Sequence, residues 1–320
     1  MTTKSEDPGF KVNYSLRPAK CIERKMMVEA LHRLNGFHEL RSYQYIGFGS
    51  AWFSDFILFH KSLGIHDMIN IEEDVAHEKR YRFNRPYKCI VQHFGPSNSV
   101  LPTLPLGKQA IIWLDYTGRL DKSVLEDIQY VSAKAKSGSV LMITVNADPI
   151  GDGHLRPVAS MLKSEGTDYG RVHAENIDAL GKWATATTYR QMIYDKILLT
   201  LRDRNGVLNP NERISYQQIF NFNYRDSESR MLTTGGLYYE NRQSDLVEKC
   251  NFRSSFDFFK PEKESYLIDV PILTLREIRM LEAQLPTDCE EIDRKSIPEV
   301  DVKKYEKIYR YYPLFTEAEL

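Results

Sequence analysis

An α/β chain with a doubly wound, mostly parallel sheet is what this sequence predicts, with an antiparallel hairpin late in the sheet and a small C-terminal extension. Three observations carry that reading. Strand and helix signals alternate five times, the pattern of βα units winding one sheet. The apolar runs are nearly continuous rather than alternating, as parallel strands covered on both faces must be. The first run, Tyr45-Ile46, leads into Gly47-Phe48-Gly49-Ser50, and a helical stretch follows at once. Strand, glycine turn and helix together present backbone N–H groups to a nucleotide-like ligand. Glycine suits such a turn where a side chain would block close approach or where φ must be positive.

The bulk numbers narrow the function classes. At 320 residues the chain fits one large domain, or one domain with an appended lobe. Hydrophobic residues make up 42%, enough for a real core. A net charge of −1 and a pI near 6.7 argue against non-specific nucleic-acid binding as the main task, though they leave room for a local basic patch. Cys21, Cys89, Cys250 and Cys289 are scattered and form no CxxC pair. That is the usage of a reducing compartment without a structural zinc. The N-terminal residues are polar, and no apolar run approaches the roughly 20 residues needed to span a bilayer. The expectation is a soluble, cytoplasmic protein with no membrane contact.

In chain order, residues 1–13 read as a flexible arm. Pro18 suits the first turn of a helix whose stripe is Ile22, Met26, Val28, Ala30, Leu31 and Leu34, ending near Asn35-Gly36. Arg17, Lys20 and Arg24 lie near one another at its start. Such charge runs are usually solvated faces; the alternative is that Arg17 and Lys20 hold a substrate or cofactor carboxylate. Trp52 to Leu63 is a helix closed by Gly64, and Met68–Asp74 is a strand ending in acid. His77–Phe83 is a short helix, Tyr87–Phe94 the third strand, and Pro102, Pro105 and Gly107 mark a loop. Ala110–Tyr116 is the fourth strand, again ending in acid. Lys122–Ala135 is a helix capped by Asp121, and Gly138–Asn146 is the fifth strand. Beyond the loop at Asp148–Gly153, helices are expected at Leu155–Leu162 and Thr187–Leu201. Ser215–Tyr224 and Arg230–Tyr239 form an antiparallel hairpin. Residues 14–244 thus make the main domain and 245–320 an extension with an extended run at Ser265–Val270 and two helices. The first opens on the capping box Thr274–Glu277, with Leu275, Ile278, Leu281 and Leu285 inward. The second begins at Asp301 and gathers Val302, Tyr305, Ile308, Tyr309 and Tyr312 on one face. Lys303, Lys304, Lys307 and Arg310 are left largely on the other, a solvated face in preference to a nucleic-acid contact.

The glycine turn discriminates among nucleotide ligands. Trp52 stands where a dinucleotide fingerprint wants its third glycine, and no Walker lysine follows, so NAD and a P-loop phosphate are both disfavoured. Glu72 ends the second strand about 20 residues after the turn, where a carboxylate accepts from both hydroxyls of a ribose. Five strand–helix units, helical material and then a hairpin is the plan of class I methyltransferases, whose last strand is antiparallel and lies inside the edge pair.

On these residues the chain resembles the Rossmann-like S-adenosylmethionine-dependent methyltransferases. More narrowly it is similar to a group of bacterial O-methyltransferase-like proteins. The likeness is carried by Leu16–Arg24, Tyr45–Ser50, Trp52–Phe56, Trp113–Tyr116 and Pro271–Glu277. The resemblance implies S-adenosyl-L-methionine as cofactor. Gly47, Gly49 and Ser50 then pass beneath its methionine part, with Asp55 ordering the turn. Glu72 binds the ribose, unless the strand ends a residue later and Glu73 or Asp74 does so. His93, Phe94 and Gly95 lie at the adenine end. Asp115 and Tyr116 face both cofactor and acceptor, as first and second candidates for a catalytic base or acceptor-orienting group. Asp115-Tyr-Thr-Gly118 departs from the Asp/Asn-Pro-Pro-Tyr signature of amino-methylating enzymes, which favours an oxygen acceptor. The eight histidines all precede residue 174 and none has HxH or HExxH spacing, so no metal ligand is expected. An oxygen-ligand site from Asp115, Asn146 and Asp148 is the minor alternative. The acceptor is left open, as are a protein partner and a homo-oligomer. The competing functional class is a catalytically silent methyltransferase-like scaffold within a bacterial, anti-phage multiprotein system.

Overall fold

The computed structural model describes residues 17–148, 183–260 and 263–313. The expected arm at 1–13 and the helix at Leu155–Leu162 lie outside them. The strands are β1 (Gln44–Gly47), β2 (Asp67–Glu72), β3 (Ile90–Phe94), β4 (Ala110–Arg119), β5 (Val140–Asn146), β6 (Ile214–Asp226), β7 (Ser229–Glu240) and β8 (Tyr266–Ile268). They form one sheet in the order β3-β2-β1-β4-β5-β7-β6-β8. The first five pair in parallel, and β7 runs antiparallel to both β5 and β6. The predicted doubly wound sheet and hairpin are therefore present. One strand more than predicted joins it: the extended run of the C-terminal extension supplies β8, parallel to β6.

The helices begin with α1 (Pro18–Leu31), α2 (Ser54–Leu63), α3 (Glu78–Asn84), α4 (Ser97–Val100), α5 (Lys122–Lys134) and α6 (Ala184–Asn205). Four follow in the C-terminal part: α7 (Ser244–Cys250), α8 (Phe252–Ser255), α9 (Leu275–Glu282) and α10 (Glu299–Ile308). Local chemistry sets several of their ends. Pro18 occupies the first turn of α1, where a missing N–H costs nothing. Gly64 closes α2 at φ +69°, a conformation that costs glycine little. Asp121 caps α5 by accepting from Val124 N–H at 3.1 Å. Thr274 and Glu277 complete the capping box of α9. Two boundaries differ from expectation. The helix predicted from Trp52 starts at Ser54, because Phe53 is left-handed at φ +48° and leaves Trp52 exposed. The stretch between β3 and the loop at Pro102–Gly107, for which the sequence predicts no element, contains the one-turn helix α4.

Continuous apolar strands bury both faces. Tyr45, Met68, Ile111, Trp113, Val140 and Met142 pack with α1 and α2 on one side. Their neighbours Ile46, Ile69, Ile112, Leu114, Leu141 and Ile143 pack with α5 and α6 on the other. The extension has a smaller core of Ile278, Leu281, Ile292, Ile297, Val302 and Tyr305. Leu275, expected inward, is half-exposed; at the first helical position of a short helix it is not covered by the Ile278–Leu281 face. Tyr305 is fully buried, and Lys303, Lys307 and Arg310 are exposed, as the amphipathic reading requires. Among the described residues no helix is long and apolar enough to cross a membrane.

Candidate active site

A cavity of about 1300 Å³ opens at the C-terminal ends of β1, β2 and β4, where an α/β sheet of this winding places its ligands. The N-terminal part of α1 and the β6–β7 turn complete its walls. Its floor is the glycine turn. Gly49 N–H donates to Asn70 Oδ1 at 2.6 Å, and Asn70 is fully buried on β2. A Cβ on Gly49 would lie 2.9 Å from that oxygen and 2.7 Å from the Phe53 ring, and one on Gly47 would meet the Tyr45 phenol. Close packing thus demands glycine at both positions. The left-handed residues of the turn are Ser50 and Phe53 instead, each at φ +48°. Positive φ, offered as one reason for the glycines, does not apply to Gly47 or Gly49.

Buried charge lines the side under α1. Lys20 is almost completely enclosed, yet its Nζ lies 2.9 Å from both carboxylate oxygens of Asp115 and 2.9 Å from Glu23 Oε2. It also donates to Tyr224 Oη at 3.0 Å and sits 4.5 Å above the Trp113 ring. Burial alone would lower the lysine pKa. Asp115 and Glu23 outweigh it and hold the ammonium well above its usual range. Glu23 is pushed the other way from a normal carboxylate: burial raises it, more than Lys20 lowers it. One cation thus serves two anions. The solvated reading of the Arg17–Lys20–Arg24 run is corrected here. Lys20 and Arg24 are buried, all three residues line the cavity, and Arg17 pairs with Asp226. Residues three and four apart share one helix face, and this face turns inward because it meets acids from β4 and β6.

Asp115 is the last residue of β4 in register with β5, opposite Thr144, before the pairing shifts. That break frees its side chain, one-quarter exposed, to face the cavity. Tyr116 follows it, edge-on to Phe48 at 5.1 Å. Its hydroxyl donates to Asp127 at 2.6 Å, and burial together with Asp127 raises the phenol well above its usual pKa. Deeper in, the Tyr45 hydroxyl bonds Asp55, and burial raises that carboxyl despite Arg24 nearby.

The predicted site residues divide accordingly. Arg17, Lys20, Ser50, Glu72, Asp115 and Tyr116 line the cavity, as do Glu73 and Asp74. Glu72 ends β2, as expected, and its carboxylate accepts from Asp74 N–H at 3.1 Å. Gly47 and Gly49 support the floor without lining it. His93 and Phe94 end β3 beside Glu72 but are not among the lining residues; Gly95 is, with its N–H on Glu72 O at 2.8 Å. Asn146 lines the cavity, whereas Asp148 receives Arg230 N–H at 2.7 Å and the Asn146 amide at 3.1 Å, which ties its carboxylate to the turn end of the hairpin. Sequence reasoning missed Glu23, Tyr224 and Asp226. The only signal was i,i+3 spacing of Glu23 from Lys20 in a run that looked exposed.

The sequence model of a family described as "Putative O-methyltransferase" matches residues 12–320, nearly the whole chain. The chain belongs to this family. A search of curated proteins gives no match. Among solved structures it is similar to Trm1 from Pyrococcus horikoshii in complex with S-adenosyl-L-methionine, at 12% identity and a TM-score of 0.46. That likeness covers 77% of this chain and 60% of the Trm1 chain. It is similar to cofactor-bound Rv0187 from MTB at 14% identity, with 75% and 94% of the two chains covered and a TM-score of 0.38. The third is the O-methyltransferase TomG from Streptomyces achromogenes with S-adenosyl-L-methionine, at 12% identity, 75% and 92% coverage and a TM-score of 0.37. Likenesses this distant carry no argument about the reaction.

Proposed function

We propose that this member of the O-methyltransferase family binds S-adenosyl-L-methionine in the cavity and methylates an oxygen acceptor of unidentified structure. One observation carries the reading: Asp115 faces the cavity at the break in β4, with its carboxylate fixed by a buried lysine. The residues present suit the cofactor. The Gly49 backbone leaves no room for a side chain above Asn70. Glu72 stands at the end of β2 for the ribose hydroxyls, with Gly95 at the adenine side in place of the His93 and Phe94 side chains. Arg17 and Arg24 line the wall where a carboxylate would be neutralised. The volume exceeds the roughly 300–1,000 Å³ of an ordinary ligand pocket, room for a cofactor and an acceptor together.

The cofactor supplies an electrophilic methyl on a sulfonium, and in-line displacement then asks the protein chiefly for position. Asp115 orients the acceptor hydroxyl and draws on its proton as the oxygen attacks. Lys20 keeps the carboxylate in place and offsets its charge when the acceptor is absent. Tyr116 forms a wall, since its own proton is committed to Asp127. Calorimetry with S-adenosylmethionine and S-adenosylhomocysteine, and NAD as control, tests the cofactor assignment. Micromolar binding of the first two alone is the expected result. Glu72→Ala should weaken it at least tenfold, and equal affinity for the variant would remove Glu72 from the site. Asp115→Ala should keep binding within a few-fold while methyl transfer to an accepted oxygen substrate falls at least a hundredfold.

A further inference from the structure

At the opposite end of the strands from the cavity, three side chains from separate elements converge. His60 lies in the last turn of α2, His66 directly precedes β2, and Cys89 directly precedes β3. One ligand atom from each lies within 4.8 Å of the other two. Cys89 Sγ is 3.9 Å from His60 Nδ1, and the two imidazoles stand at 89° with centroids 4.9 Å apart. We propose that His60, His66 and Cys89 bind a zinc-class divalent cation, with water completing the coordination.

The donor set selects the ion. Two imidazoles and a thiolate suit zinc and its late first-row neighbours, while calcium and magnesium require oxygen. Tetrahedral zinc with bonds near 2.0–2.3 Å sets neighbouring N and S ligands roughly 3.5 Å apart. The three ligand atoms lie within 4.8 Å of one another, so closing the site asks for side-chain adjustment on the order of an ångström. The ring of His60 is already held. The Tyr87 ring packs on it at 4.2 Å, and Ile65 O lies 2.8 Å from Nδ1. A backbone carbonyl is a common outer partner for the second ring nitrogen of a ligating histidine; here it fixes the proton on Nδ1 and leaves Nε2 to ligate. His66 is exposed and the other two are half-buried, so an ion has a route in. Residue spacing gave no hint, because the ligands come from three places in the chain rather than from one motif.

The location implies a structural staple. The six residue steps from His66 to Glu72 along β2 span on the order of 20 Å, so the ion would sit remote from the cavity and pin α2 to the β2–β3 edge. The test uses the full-length, reduced, chelator-treated protein titrated with Co²⁺ as optical probe and then Zn²⁺. Expected are one equivalent bound, a thiolate-to-cobalt charge-transfer band, displacement by zinc and a rise in Tm of several degrees. His66→Ala and Cys89→Ser, chosen because neither side chain is fully buried, should each weaken binding at least tenfold, and Cys289→Ser should leave it unchanged. Cobalt binding without the thiolate band, or unaltered affinity in both variants, would overturn the site. So would loss of binding in Asp115→Ala, which would put the ion in the cavity.

Discussion

Lys20→Met tests whether one buried cation organises the cavity wall. The substitution keeps the length of the stem and removes the cation that Glu23, fully buried, and Asp115, one-quarter exposed, share. Removing one partner from a buried ion pair costs about 3–5 kcal/mol. At roughly 2.1 cal/mol/K per residue, 320 residues unfold with an entropy near 0.7 kcal/mol/K, so Tm should fall by about 4–7 °C. The pH dependence gives a sharper sign. Burial already raises Glu23, and without Lys20 it would rise further. A carboxyl whose folded pKa is raised favours the folded state below its unfolded pKa and loses that contribution as pH rises through the folded value. The deficit of Lys20→Met should therefore be small near pH 5 and large near pH 8. Lys20 itself, held above its usual value, keeps its contribution throughout this window and loses it only at strongly alkaline pH. Lys20→Met/Glu23→Gln should recover more than half of the loss at pH 8. Thermal unfolding at the two pH values is the assay. A shift under about 1.5 °C, or an equal shift at pH 5 and pH 8, would refute the shared-cation arrangement.

Two further substitutions separate the cavity from the extension. Gly49→Ala should lower stability by about 1–3 kcal/mol and weaken S-adenosylmethionine binding at least tenfold, because the new methyl meets Asn70 Oδ1 and the Phe53 ring below 3 Å; calorimetric affinity at wild-type strength would contradict this. Thr274→Ala removes the side chain that caps α9 and should cost about 1 kcal/mol by denaturant unfolding, with cofactor affinity unchanged.

The fold was legible where one stretch of chain states its own environment. The strand runs lack polar alternation, and the structure buries both their faces, so composition reported burial directly. Caps were legible for the same reason: Asp121 accepts from Val124 and Thr274 from Glu277, each three residues away. The strand β8 was legible only as an extended run within Ser265–Val270, not as a member of the sheet. An extended three-residue run pairs with β6 across more than 40 residues of sequence, and nothing local records its partner. The start of α2 was displaced by a backbone choice at Phe53 that aromatic residues rarely make, enforced here by packing against Gly49.

The site divides along the same line, and the division explains which residues escaped. Glu72 and Asp115, which line the cavity, were legible because a carboxylate at the end of an apolar strand is conspicuous in one dimension. Glu23 and Arg24 were passed over because charge on a helix normally means water. Whether such a face is wet depends on what lies opposite, and here that is Asp115 from β4, Tyr224 and Asp226 from β6, and Asp55 from α2. Each of those is itself only a strand end or helix start when read alone. The helix face becomes interpretable once the sheet order is known, because that order brings β4 and the β6–β7 turn beside α1. Tyr116 shows the converse. Its position beside Asp115 suggested a base or acceptor-orienting group, but position along the strand says nothing of Asp127 on α5, which takes its hydrogen bond. The arrangement of this cavity therefore rests on pairings between distant elements, and a substitution that alters α1 at Lys20 should be felt on β4 at Asp115 as well as at Glu23 on α1 itself.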